Sequence, residues 1–205
     1  TGAAAPTLSV LQFSNASPTI TVNSGLAATG LIVSALIADN AGMTGPIIKA
    51  GAGTLALTSP ESTFTKGLNL TAGSLMIGAA STGTAPTVTK GPLGTGTLTV
   101  SGGTTLLADG TARSVANALS VGGDFSFGGL VAGHSLTFTG TTDLGAANRT
   151  ITVTNPLVTA TLGGPITTTA TGTALTKAGA GVLVLSSSTN NFNSAAVSIT
   201  GGILK

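Results

Sequence analysis

The stretch Lys49-Ala-Gly-Ala-Gly-Thr-Leu-Ala-Leu57 returns as Lys177-Ala-Gly-Ala-Gly-Val-Leu-Val-Leu185. Seven of the nine positions are identical, at an offset of 128 residues (177 − 49). In both copies a glycine-bracketed turn feeds a short alternating strand. A repeat at so long an offset constrains the fold strongly, because each copy must build the same supersecondary unit and bury it against a neighbour.

The likeness extends beyond these nine residues. Phe64 and Phe192 keep the same offset. One inserted residue later, Leu68 and Leu70 match Val197 and Ile199, Thr71-Ala-Gly73 matches Thr200-Gly-Gly202, and Leu75 matches Leu204. Upstream, Thr19-Ile-Thr-Val22 pairs with Thr150-Ile-Thr-Val153, with gaps to the lysine of 27 (49 − 22) and 24 (177 − 153) residues. The copies run approximately over 19–78 and 150–205, with intervening coils over 79–149, and their length differences fall in loops.

Period-two alternation fills the rest of the chain. Thr97-Leu-Thr-Val100, Ser135-Leu-Thr-Phe138, Phe125-Ser-Phe127 and Leu75-Met-Ile77 place apolar and polar side chains on opposite faces, as in a strand with one buried face. Gly91-Pro-Leu-Gly94, Ser101-Gly-Gly103, Gly122-Gly-Asp124 and Gly163-Gly-Pro165 supply corners between strands. Thr111–Leu119 is the one helical candidate, and it lacks a sustained apolar stripe. Leu31-Ile-Val-Ser-Ala-Leu-Ile-Ala38, the most apolar run, is far short of the ~20 residues a membrane-spanning helix needs and reads as a buried strand.

Short strands with small corners can build a sandwich, a barrel or a solenoid. The repeat favours the solenoid, and so does the scarcity of hairpin dipeptides: there is no Asn-Gly or Gly-Asn, and Asp109-Gly110 is the single Asp-Gly. Composition agrees. Only 6% of residues are charged, against ~25% in ordinary domains. Coils stacked ~4.8 Å apart pile like residues on like, so repeated charges would repel where Thr, Ser, Val and Leu fit. Residues 1–205 therefore read as one all-β solenoid of roughly 8–10 coils at ~20–25 residues each.

Lys-x-Gly-x-Gly-x-Leu-x-Leu, a following aromatic, and strand-Thr-Ala-Gly-x-Leu together resemble the passenger-associated transport repeat, the autotransporter-associated β-strand repeat of bacterial surface proteins. Gly91–Gly103 resembles the segment that commonly follows it, and Asn117–Gly128 and Ser135–Gly140 resemble coils between copies. The resemblance covers residues 47–205 well and 16–46 loosely. It implies a right-handed parallel β-helix, exported and displayed outside the cell, with no catalytic residues of its own. The chain starts at Thr1 without Met and stops at Lys205, where the family continues the strand. It also shows no downstream translocator. The expectation is a processed or excerpted piece, or a passenger architecture used without that barrel.

Residues that could carry chemistry are few. Gly51-Ala-Gly53 and Gly94-Thr-Gly96 look like phosphate turns, but strands follow them where a helix N-terminus is needed. His134, the only His, could join Ser135 and Asp143 as a hydrolytic triad; a solvated loop position is the simpler reading. A polysaccharide-cleaving pair needs two carboxylates at a set spacing. The acids Asp39, Glu61, Asp109, Asp124 and Asp143 are scattered, and only Asp109 with Asp124 could meet on adjacent coils. Asp109 with Arg113 reads as a local surface pair. Asn190, Asn191 and Asn193 suit a turn stacked on a neighbouring coil. Calcium-binding glycine repeats are absent, Cys chemistry is excluded, and no Trp or Tyr offers a carbohydrate platform. The net charge of +2 is dispersed, which argues against nucleic acid. Lys49 and Lys177 are expected outside, at the turn.

No catalytic, cofactor or metal site is expected, and no membrane-spanning segment. The chain reads as a non-enzymatic extracellular rod at the bacterial surface: a stalk, or the subunit of a head-to-tail biofilm or cell-surface fibre joined through its open ends. An autotransporter adhesin that binds cells or surfaces is the alternative, and a polysaccharide-active β-helix enzyme is the third.

Overall fold

A computed structural model describes residues 9–129, 134–193 and 196–205, and in them 24 short strands and no α-helix. The period-two pattern sets these strands, and the corner residues end each after two to five positions. The chain winds over three faces in turn. On the first face lie β2 (Thr19–Thr21), β5 (Ile47–Ala50), β7 (Leu68–Leu70), β11 (Leu98–Val100), β14 (Leu119–Val121), β17 (Thr142–Asp143) and β20 (Ile166–Thr167). The second face stacks β3 (Leu31–Val33), β6 (Thr54–Leu57), β8 (Ser74–Ile77), β12 (Thr105–Ala108), β15 (Phe125–Phe127), β18 (Arg149–Val153), β21 (Leu175–Ala178) and β23 (Val197–Ile199). The third begins with β1 (Val10–Gln12) and β4 (Leu36–Ala38). It ends with β13 (Arg113–Val115), β16 (Leu136–Phe138), β19 (Thr159–Leu162), β22 (Val182–Leu185) and β24 (Ile203–Leu204). Between these two runs, segments 62–65 and 91–95 carry the third face without forming strands. Thr63 N–H donates to Ile37 O and Thr95 N–H to Phe64 O.

Neighbours on every face pair in parallel. Eight strands on the second face make about eight turns, a rod of about 40 Å at ~4.8 Å per turn. The chain is thus the expected β-solenoid, near the low end of the expected coil number. No helix among the described residues is long and apolar enough to cross a membrane.

Register makes the core. Ile47, Leu68, Leu98 and Leu119 stack inward on the first face. Leu55, Leu75, Leu106, Phe127 and Val153 do so on the second, and Val115, Phe138 and Leu162 on the third. All are buried. The alternate positions point outward, and Thr54, Ser74, Thr105, Ser126 and Thr152 form one continuous hydroxyl column.

Two local expectations are corrected, and the weak helical candidate resolves into strands as its missing apolar stripe implied. Leu31–Ala38 is not one buried strand: it is β3 and β4 on two faces, with Leu31 and Ile32 exposed and only Ile37 buried. β3 is the edge strand of its face, so no described strand covers its outer side. Thr111–Leu119 holds β13 and the first residue of β14 rather than a helix. An antiparallel hairpin also occurs, β9 (Thr82–Thr84) with β10 (Thr87–Lys90), joined across a cis Ala85–Pro86 peptide. It stands outside the three faces, and a 2.7 Å contact from Lys90 to Glu61 pins its base to the coil below.

Candidate functional site: a lysine caged at the solenoid corner

The repeated lysines are not outside. Lys49 and Lys177 each have 0% of their surface exposed. Their place in the strand requires it. Lys49 lies in an inward column between Ile20 and Leu70, and Lys177 between Ile151 and Ile199. An ammonium in such a column is tolerable only when all its protons find acceptors.

The glycine corner supplies them. Gly51 and Gly179 both turn the chain at φ +77°. A β-carbon there would come within 2.4 Å of Val22 O in one copy and 2.3 Å of Val153 O in the other. Only glycine allows both the conformation and the approach. The turn aims its carbonyls at the lysine. Lys49 Nζ donates to Ala50 O (3.0 Å), Gly51 O (2.7 Å) and Ala72 O (2.9 Å). Lys177 Nζ donates to Ala178 O (2.6 Å), Gly179 O (2.8 Å) and Gly201 O (3.0 Å). Two acceptors belong to the lysine's own corner and the third to the next coil. The lysine's carbonyl completes the clamp: Thr71 N–H and Oγ1 donate to Lys49 O at 3.0 and 2.9 Å, and Thr200 N–H and Oγ1 to Lys177 O at 2.9 and 3.3 Å. Burial pushes both amines below the ordinary lysine value. With no solvent-accessible surface, neither can meet a ligand as base or nucleophile.

Other corners are closed in the same way. Asn117 Nδ2 donates to Gly94 O (3.1 Å) and Gly96 O (2.9 Å), and Arg149 Nε to Val121 O and Leu144 O, both at 3.0 Å. The glycine turns that resembled phosphate cradles therefore present inward carbonyls to donors of the chain itself, the reverse of an anion site.

The remaining candidates are not brought together. Ser126 pairs with Thr105, so Asp124 lies level with residue 103, six positions (109 − 103) from Asp109 along the strand direction. That is about 20 Å at ~3.3 Å per residue, beyond the ~5–10 Å of hydrolytic carboxylate pairs. Arg113 holds Asp109 through bonds of 2.9 and 2.8 Å and keeps its carboxyl below the usual range. Asp124 accepts from Thr150 N–H. Ser135 Oγ accepts from Thr159 N–H at the third face, while Asp143 lies on the first face and bonds Gly145 N–H. Asn190 and Asn193 do stack on the coil below, to Ile166 N–H and Thr168. Among the described residues no group of three or more His, Cys, Asp or Glu could hold a metal.

No match is found among curated proteins or among solved structures. The family model described as passenger-associated-transport-repeat matches residues 47–77 and 175–205. These segments run from β5 through β8 and from β21 through β24, and each contains one caged lysine. The first copy passes from the first face to the second, and the second copy from the second face to the third. The two segments that match the family model thus build one caged-lysine corner at two different edges of the same solenoid.

Proposed function

We propose that this chain is a non-enzymatic structural rod displayed outside the bacterial cell, acting as a stalk in a surface assembly. The observation that carries this reading is the passage of both repeat copies through one three-sided core whose corners are closed by the chain's own side chains. Such a stack should tolerate changes of length. Removing residues 119–141 joins Ala118 to Thr142, which already lies above Leu119 in register. The shortened chain should fold and reach the surface, as judged by circular dichroism and by antibody labelling of intact cells. Loss of both folding and display would count against a modular stalk.

The filament form of this reading is supported by exposed apolar residues in the end coils: Val197, Ile199 and Ile203 in the last, Val10, Leu31 and Ile32 in the first two. Sedimentation of the pure chain tests this, and long polymers would favour the fibre over the stalk.

Adhesion has its own observation. The hairpin tip and the solenoid corner enclose a cleft of about 400 Å³ walled by Pro86, Thr139, Thr141 and Pro165. Deleting residues 82–90 should abolish cell aggregation on the adhesin reading and leave it unchanged on the stalk reading.

A further inference from the structure

Strands of two to five residues, with Leu or Val at every second inward position, pair ambiguously. A slip of one residue would turn apolar side chains outward and is excluded by the faces. A slip of two preserves every face. Leu68 could lie over Lys49 as readily as over Ile47, and Val197 over Lys177 as readily as over Leu175, as far as inward and outward patterning is concerned. The hydrophobic pattern alone therefore leaves the stacking of one coil on the next underdetermined.

The lysine corner distinguishes these registers. Lys49 is gripped by two consecutive residues of the coil above, through its carbonyl by Thr71 and through its ammonium by Ala72. Lys177 is gripped in the same way by Thr200 and Gly201. A two-residue slip carries the third acceptor about 6.6 Å along the strand, out of reach of Nζ. The buried ammonium would then hold an unused proton with no water to take it. The next corner is tied to the same register, since Gly73 packs against Gly51 O and Gly53 O and Gly202 against Gly179 O and Gly181 O. We propose that Lys49 and Lys177 select the register in which the following coil docks, as positioning residues of the stack, and that this selection is what the repeated Lys-Ala-Gly-Ala-Gly corner encodes.

The chain has no Cys, so engineered disulfides can report the register. Thr176 and Ser198 are direct partners across β21 and β23 and point outward. Ala178 would face Ser198 only after a two-residue slip; in the native register the two are diagonal neighbours ~7–8 Å apart, beyond the usual disulfide reach of ~7 Å. The Thr176→Cys/Ser198→Cys pair should oxidise in the native background and the Ala178→Cys/Ser198→Cys pair should stay reduced. Adding Lys177→Met should raise the slipped cross-link relative to the native one by about tenfold or more, a loss of at least ~1.4 kcal/mol of register preference. The terminal position keeps the test readable, because the coils beneath remain paired and their circular dichroism should persist. The parallel test uses Ile48→Cys/Asn69→Cys and Ala50→Cys/Asn69→Cys with Lys49→Met. A Lys177→Met chain that is less stable yet shows only the native cross-link would overturn the proposal and reduce the lysine to a contributor to stability.

Discussion

The two repeat copies share a sequence and a cage but differ in what lies above them. In the first copy β7 and β8 are roofed by β11 and β12, and Leu68, Leu70 and Leu75 are at most 1% exposed. In the second copy no described strand follows β23 and β24, and Val197 and Ile199 are 38% and 55% exposed. Phe64 is fully buried, while its counterpart Phe192 is half-buried against the core. The lysines do not register this difference. Both are fully enclosed and both reach three carbonyls within 3.0 Å. The cage is a two-coil object, complete as soon as one coil covers the lysine. The apolar column is a three-coil object, because each strand needs its own roof.

Substitutions at the lysine should separate the copies most. Lys49→Met keeps an unbranched side chain, one heavy atom shorter, and removes three charge-assisted hydrogen bonds from the middle of the stack. The expected loss is about 4 kcal/mol, the released cost of burying the ammonium offsetting only part of it. Lys177→Met should remove the same bonds but free only the terminal coil, so that hydrogen exchange quickens over 197–205 while the urea midpoint of the rest stays near that of the parent. Equal global losses from both would mean that the stack unfolds as one unit and that position in it does not matter.

The core should show the contrast next. Leu70→Ala opens a cavity in a closed column and should cost about 3 kcal/mol in chemical denaturation. Ile199→Ala, at the matching position without a roof, should cost less than about 1 kcal/mol. If Ile199→Ala proves as costly as Leu70→Ala, the last coil is covered in solution by something outside the described residues.

How much of this was legible depends on what each residue's neighbours had to say. Leu98-Thr-Val100 and Leu119-Ser-Val121 declare their buried faces by alternation, and they stack as that pattern requires. Lys49 carried the same signal, since Ile47-x-Lys49 puts it in phase with the core, as Leu175-x-Lys177 does in the other copy. The glycine after it argued for a turn and its charge argued for water. What overrides both is the inward aim of the corner carbonyls, a property of backbone direction that residue types do not spell out. Arg149 and Asn117 escaped notice for the same reason. The rotation of the second copy by one face was also hidden. The offset of 128 residues is five coils and one further side, from β5 past β20 to β21, and coil lengths vary with their loops. The hairpin at Thr82–Lys90 turns through Ala85-Pro86, with none of the glycine dipeptides that usually announce one.

Glycine substitutions should reverse the contrast, because they probe the coil beneath, which both copies have. Gly51→Ala and Gly179→Ala each force a β-carbon into a left-handed turn and against a carbonyl of the lower coil. Each should cost about 2 kcal/mol, the two within ~0.5 kcal/mol of one another in urea denaturation. A much milder effect in one copy would show that its corner can shift away from Val22 or Val153.

The smallest effect concerns protons and has a definite sign. Burial holds the amines of Lys49 and Lys177 below the usual lysine pKa. Between the folded value and the ordinary 10.5, the unfolded chain binds more protons than the folded one, so these two groups make stability rise with pH. Below that window each protonated amine bears its full burial cost, and above it the cost disappears. The chain holds other lysines and no Tyr or Cys. A difference between the parent and single Met variants cancels these background groups. The advantage of the parent over Lys49→Met in urea midpoint should grow from pH 8 toward pH 10.5, and so should the smaller advantage over Lys177→Met in terminal exchange protection. A falling advantage in both would mean that the three carbonyls hold the third proton more firmly than water does, and that the corner is a site built for an ammonium rather than one that merely tolerates it.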